Sequence, residues 1–204
     1  SWNPRENIAL QGNDDIMSMT MVRDLIAGQG WFDVVQYRVI PPEGISIHWS
    51  RYIDAGIAAI VIPLSLFLPM PTAEVVGAAI WPVFIMVINL LVIGFGTRRV
   101  FGPHAACLAV LVTVLWPVTG DLHSGAGNLD HHNIQMLTMT VMGLGIVWPS
   151  RPYLAGAIAG TAAAFSLAIG LETLLFVVGA GFILLLRTVM QETRVTRKVL
   201  TSFC

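Results

Sequence analysis

Charge is scarce in this sequence: 11% of its 204 residues are Asp, Glu, Lys or Arg, against a hydrophobic share of 55% and a mean hydropathy of +0.75. A water-soluble domain needs charge to cover its surface, so this balance excludes an ordinary soluble fold and makes lipid the expected solvent. The twelve acidic and eleven basic residues nearly cancel, and no basic stripe with interleaved aromatics occurs, so no nucleic-acid partner is expected. Cysteine is almost missing too. Cys107 lies in an apolar run and Cys204 at the last position, which rules out a disulfide framework or a cysteine metal knuckle. A serine-hydrolase elbow, a zinc-protease helix motif, a phosphate-binding glycine loop and a dinucleotide fingerprint are all lacking. Starting at Ser1 rather than a methionine, and stopping soon after a basic stretch, the chain is expected to be part of a longer protein.

The charge that is present divides the chain near Asp54. Residues 1–54 carry seven acidic and four basic side chains; from there to Leu186 only Glu74, Arg98, Arg99, Asp121, Asp130, Arg151 and Glu172 are charged. Uncharged runs cover 55–73, 75–97, 100–120, 133–150, 152–171 and 173–186, most of them near the roughly twenty residues that cross hydrocarbon. Basic residues gather on cytoplasmic loops. Arg98 and Arg99, then Arg151, then Arg187, Arg194, Arg197 and Lys198 alternate with Asp121, Asp130 and Glu172, as five crossings from Val75 onward require. The expected fold is therefore all-α: a polytopic membrane helix bundle of about five spanning helices (residues 75–204) after a section with an amphipathic helix and a membrane-associated apolar stretch (residues 1–74). The run 55–73 is ambiguous, because Pro63, Pro69 and Pro71 break or bend a helix. If it crosses, the polar section is cytoplasmic; if it lies along the surface, that section is external and shares a side with Asp130.

Within the polar section Ile16, Met17, Met19, Met21, Val22, Leu25 and Ile26 recur at helical spacing, with Asn13 or Asp14 as the expected N-cap and Gly28 and Gly30 as terminators. Trp31 and Phe32 fit an interfacial position, and a soluble partner groove is the alternative. Pro41, Pro42 and Gly44 mark a turn before a second polar and aromatic cluster, His48, Trp49, Ser50, Arg51 and Tyr52. Further on, the outward loop 120–133 gathers three of the five histidines, and Asp130 with His132 offers oxygen and nitrogen ligands to one cation. The plainer reading makes Asp130 a cap for a helix starting near Asn133. Glu172, between two apolar runs, faces either a polar cavity or the water interface. Asp14 and Asp15 either serve the dipole of the first helix or reach a metal or a substrate hydroxyl. Gly156 and Gly160, with Ala155, Ala159 and Ala163, form a small-residue ladder that predicts close helix packing in lipid.

An acidic residue just before an amphipathic helix, a glycine and Trp31 after it, a proline-marked turn, and then a carboxylate motif after two spans form an order that resembles the glycosyltransferase C superfamily. The likeness is to the catalytic subunit of oligosaccharyltransferases and its bacterial relatives, and it covers the N-terminal part of their membrane domain. In that family the first external loop carries a metal-binding Asp, and the second a motif of an acid, any residue, then Asp, Glu or His. Asp15, or Asp14, looks like the first; Asp130 and His132 look like the second. The series Asp33, Gln36, Tyr37, Arg38, Pro41, Pro42, Gly44, His48, Trp49, Ser50, Arg51 and Asp54 is similar to a bacterial branch. The family's Asp is commonly followed by proline and an arginine-containing helix start, where this chain has Ile16, Met17 and Ser18.

The resemblance implies transfer of a sugar from a polyprenyl-phosphate-linked donor to an acceptor at the periplasmic face of the bacterial inner membrane. It implies a divalent cation, manganese or magnesium, held by Asp15, Asp130 and His132. Asp15, Asp130 and Glu172 become the catalytic candidates, with Asp14, His131, His48 and Arg51 binding substrate. It also implies that 55–73 lies against the membrane without crossing. Two other classes fit the composition. One is a structural or accessory subunit of a larger respiratory or photosynthetic membrane complex. The other is a haem protein, for which His104 and the pair His131 and His132 lie at mismatched depths.

Overall fold

The computed structural model describes residues 12–116, 125–148, 150–191 and 194–204, and the side chains at 191, 194 and 195 are left aside. Among the described residues the regular structure is helical apart from one short ladder. Helix α1 (Asn13–Ile26) precedes two-residue strands β1 (Val35–Gln36) and β2 (Ile45–Ser46). These pair antiparallel with Val35 opposite Ser46 and Gln36 opposite Ile45. There follow α2 (Arg51–Ser65), α3 (Met70–Phe101), α4 (Pro103–Leu115), α5 (His132–Val147), α6 (Pro152–Ile169), a 3-10 turn (Leu171–Thr173), α7 (Leu174–Gln191) and α8 (Arg194–Phe203).

Three segments are long and apolar enough to cross a bilayer: the 32 residues of α3, the 18 of α6 and the 20 of Leu171–Met190. At a rise of about 1.5 Å per residue these reach roughly 48, 27 and 30 Å, against a hydrocarbon core of about 30 Å. The chain is accordingly a membrane protein. Helix α4 has 13 residues and α5 has 16, short of that length, so three of the five expected crossings are present as full-length helices. The uncharged runs that contain α4 and α5 continue into residues 117–124 and 149, outside the described part. Gly102, at φ +88°, and Pro103 separate α3 from α4, because that backbone conformation favours glycine and proline starts a helix better than it continues one.

The ambiguous run 55–73 is not one helix. Helix α2 stops at Ser65 with Pro63 in its last turn, and α3 begins afresh at Met70, the carbonyl of Pro69 accepting from Thr72 and Ala73. Pro63 has no N–H to continue the ladder, so the chain leaves the helix within one turn.

The chain folds as two compact units. The first takes in the described parts of 1–85 and 117–133, the second those of 86–116 and 134–204, so the described part of the loop before α5 groups with the polar section. In the first unit α1 packs on α2, burying Met21, Val22, Ile57 and Val61. The Arg23 guanidinium forks onto Glu74, Nε to Oε1 at 2.9 Å and Nη2 to Oε2 at 2.6 Å, tying α1 to the start of α3. Helix α1 ends as its glycines predict, with Gly28 at φ +100°.

In the second unit Met142, Ala159, Ala162, Ala163 and Ala180 form the core. The small-residue ladder does pack closely, and one partner is α8: a Cβ on Gly156 would strike the Val199 carbonyl, and one on Gly160 the Phe203 carbonyl. Lys198 completes the contact with its ammonium 5.4 Å from the Tyr153 ring centroid. Backbone cannot give way as a flexible side chain does. Gly160→Val should therefore lower stability in detergent by about 3 kcal/mol, read as thermal unfolding, whereas Gly143→Ala, whose added methyl meets nothing within 4 Å, should be neutral or slightly stabilising.

Candidate functional site

Helix α1 delivers the first acidic group. Its N-cap is Gly12, which makes no side-chain cap, so the expected cap at Asn13 or Asp14 is corrected by one to two residues: both lie inside the first turn. The backbone carbonyl of Gly12 accepts the first intrahelical hydrogen bond, from Ile16 at 3.3 Å. Asp14 is exposed and favours the helix dipole. Asp15 shares its face with Ser18, Met19 and Val22, the i, i+3, i+4, i+7 pattern of a buried stripe, and is only 4% exposed.

Its carboxylate turns to a segment far away in sequence: Oδ1 accepts from the backbone N–H of Leu129 at 2.7 Å. That loop is pinned at a second amide. Pro82, inside α3, has no N–H to offer the carbonyl of Ala78, and Gly127 (φ +92°) donates to that carbonyl at 3.1 Å instead. Asn128 Oδ1 then accepts from the Asp130 amide at 3.2 Å. Three consecutive turn residues are thus fixed before the functional side chains begin.

Those side chains form one cluster. Asp130 Oδ1 lies 2.8 Å from His131 Nδ1, and its Oδ2 3.6 Å from His132 Nε2. The two imidazole centroids are 4.5 Å apart. Burial works against the charge of Asp130, but the hydrogen bond from His131, the two imidazoles and the His132 backbone amide together hold its carboxyl below the usual range. The last of these contacts reaches the first residue of α5, so Asp130 meets the start of that helix as well as the imidazoles. Trp49 packs against the far side of His131, 6.1 Å between centroids, and the exposed His48 packs edge-on to Trp49 at 6.0 Å. Asp130, His131 and His132 each offer a ligand atom within 4.8 Å of the others. Ligand atoms sharing an ion at about 2.1 Å stand roughly 3–4 Å apart, so small side-chain adjustments suffice. One carboxylate and two imidazoles suit manganese or zinc better than magnesium, which prefers oxygen. Asp15 stands beside this set through Leu129 but is not one of the three clustered groups.

No family model, curated protein or solved structure matches the chain. The site is therefore read from its own residues.

Arg51, a substrate-binding candidate from sequence, lies in the interior at 2% exposure. Its Nη1 donates to Met21 O and to Asp54 Oδ2, both at 3.0 Å, and its Nη2 to Gln29 Oε1 at 2.8 Å and to the Asp33 carbonyl. It stitches α1, the following turn and α2 together. Glu172 belongs to the second unit, exposed at the start of the 3-10 turn, where its Oε2 accepts from Gln135 Nε2 at 2.8 Å. Sequence reasoning passed over Pro82 and Gly127, whose roles become visible only when the freed carbonyl and the donating amide are seen together. It also passed over Asn133, which is 3% exposed with neither amide atom hydrogen-bonded.

Two outcomes follow from these contacts. Pro82→Ala restores an N–H that competes for the Ala78 carbonyl, so it should stabilise α3 while loosening the loop; hydrogen exchange at the Gly127 amide should accelerate at least about fivefold, as for a lost hydrogen bond worth about 1 kcal/mol. Burial pushes the Asp54 carboxyl up to about 6, with Arg51 opposing the rise. Its folded value exceeds its unfolded one, so the stability it contributes is complete below about pH 4 and is lost as pH climbs through about 6. Thermal unfolding from pH 4 to 7.5 should show the native protein losing ground to Asp54→Asn as pH rises, by at most about 3 kcal/mol.

Proposed function

We propose that this chain carries part of the active site of a membrane glycosyltransferase, which moves a sugar from a polyprenyl-phosphate-linked donor to an acceptor at the periplasmic face of a bacterial inner membrane. The observation that supports this reading is the buried hydrogen bond from Leu129 to Asp15, which brings two acidic segments 114 residues apart to one place. The cluster of Asp130, His131 and His132 begins at the next residue. The full reading has five crossings, with α4 and α5 as the shorter two, and the arginines at 98, 99 and 151 on the cytoplasmic side.

In the reaction the bond between the anomeric carbon and the phosphate oxygen breaks, a bond to the acceptor heteroatom forms, and the acceptor proton passes to a carboxylate. Asp130 and His132, with His131, would hold a divalent cation such as manganese, which when bound supplies positive charge beside the departing phosphate. Asp130 enters this role already ionised, its acidity raised by the imidazoles. His131, hydrogen-bonded to Asp130, keeps both groups oriented. Asp15 acts as a positioning residue for the loop, and the exposed Asp14, one residue earlier, orients the acceptor. Trp49 gives the cluster a flat apolar wall for a sugar face. Asn133 adds a buried donor and acceptor for water or substrate. Glu172 remains a supporting carboxylate of the second unit.

Manganese binding to the purified full chain, followed by electron paramagnetic resonance, tests the site directly. Asp130→Ala and His132→Ala should each weaken it by more than about 100-fold, above the 10–100-fold typical of outer-shell changes. Both should also stop consumption of a radiolabelled polyprenyl-phosphate sugar by membranes containing the protein. Unchanged manganese affinity in both variants, with undiminished consumption, would refute the assignment.

A further inference from the structure

The second unit contains two apolar grooves that glycosyl transfer does not use. The larger, about 920 Å³, is walled by residues such as Phe95, Val141 and Leu144 and ends among Arg98, Arg99 and Arg151. The smaller, about 550 Å³, lies between α3 and α4 and shares Leu91, Phe95 and Arg98 with the first. The two apolar grooves thus adjoin along α3 and share the guanidinium of Arg98. Among the described residues none of these three guanidiniums has a carboxylate partner. The sequence of the unit holds only Glu172 and Glu192 as acids, against Arg98, Arg99, Arg151, Arg187, Arg194, Arg197 and Lys198. The indole N–H of Trp148, on the lining of the larger groove, is enclosed without an acceptor.

Arg98 and Arg99 in the last turn of α3 favour the helix dipole and can snorkel to water, which by itself calls for no ligand. That account leaves two facts over. Arg151 comes from the start of a different helix, α6, into the same groove, and a buried donor there is unmatched. Both are met by an amphiphile with an anionic, oxygen-rich head and two chains.

We propose that the grooves hold an anionic phospholipid of the bilayer, its phosphate among Arg98, Arg99 and Arg151 and one acyl chain in each groove. Basic loop residues mark the cytoplasmic side, where anionic lipid attracts such clusters. The site is independent of the proposed transfer reaction. It turns an unsatisfied cationic end between lipid-facing helices into a bound headgroup, and so fixes the depth of α3 and α6 in the membrane.

Native mass spectrometry of the purified full chain, given equal phosphatidylglycerol and phosphatidylcholine, reads the preference. Phosphatidylglycerol should be retained selectively, at about fivefold per guanidinium and on the order of 100-fold for three. The triple variant R98Q/R99Q/R151Q should lose that selectivity, while R197Q/K198Q, with charges removed outside the groove, should keep it. Val141→Trp, which fills the larger groove and leaves every charge in place, should weaken retention and decides the matter if the triple variant does not fold. Equal retention of the two lipids overturns the proposal, as does selectivity that survives both the triple variant and Val141→Trp, an equal loss in R197Q/K198Q, or tighter binding of a polyprenyl phosphate than of phosphatidylglycerol.

Discussion

Among the described residues of the loop ahead of α5, 125–131 have no regular structure of their own, and two amide donors fix where they go. Leu129 N–H reaches the buried carboxylate of Asp15, and Gly127 N–H takes the carbonyl that Pro82 leaves open in α3. A hydrogen bond to a charged group contributes about 1.5–3 kcal/mol, and a buried donor left alone costs a similar amount. A proline within a helix costs about 3 kcal/mol. The carbonyl freed by Pro82 is then the acceptor that a loop glycine needs, so part of the proline's cost is recovered as loop placement. These two bonds, with the contact of Trp49 on His131, hold Asp130 and its histidines in the first unit.

The polar section faces a different difficulty, because it is too short to bury much apolar surface. A guanidinium at its centre is an unusual solution. Arg51 meets two backbone carbonyls, one amide oxygen and one carboxylate, and these acceptors come from α1, the segment after it, and α2. Desolvating the pair of Arg51 and Asp54 offsets much of their attraction, so its contribution is to specificity of arrangement more than to net stability. The raised Asp54 value expresses the same balance, since burial outweighs the neighbouring cation.

Several of these features are legible in sequence and others are not, for reasons that differ by residue. The amphipathic pattern of α1 and its glycine stop depend on neighbours a few positions away, so they read correctly. The cap at Gly12 was missed because Asn13 and Asp14 are stronger cap residues by type, whereas the helix starts one residue earlier, at a glycine with no side chain to signal it. Pro63 and Pro69 flagged the break in 55–73, and the structure places it between them. Arg51, beside Trp49 and Tyr52, looks like an exposed recognition cluster, and only the long-range acceptors on Met21, Gln29 and Asp33 turn it inward. The length of a charge-free run also overstates helix length: the runs holding α4 and α5 include residues that are not helical. That Asp130 and His132 stand together was legible from their spacing, whereas the pinning of their loop needs Asp15, Ala78 and Pro82, three positions that no local pattern joins.

Buried polar side chains in the apolar helices can be sorted by whether their hydrogen bonds are met. Thr138 donates to the Gln135 carbonyl, Ser166 and Thr173 share a bond of 2.8 Å, and Thr188 donates to the Leu184 carbonyl. Such groups are satisfied within their own helix or hairpin, as lipid requires, and ask for no ligand. Asn133 is different: it is buried at the end of the Asp130 motif with both amide atoms unmet. An apolar residue would fill that position without the desolvation cost, so the amide is worth keeping only if water, an ion-bound group or substrate completes it. Asn89 in α3 shares part of that state, with its Oδ1 buried and unmet; what marks Asn133 is that both of its amide atoms are unmet, next to the Asp130 cluster.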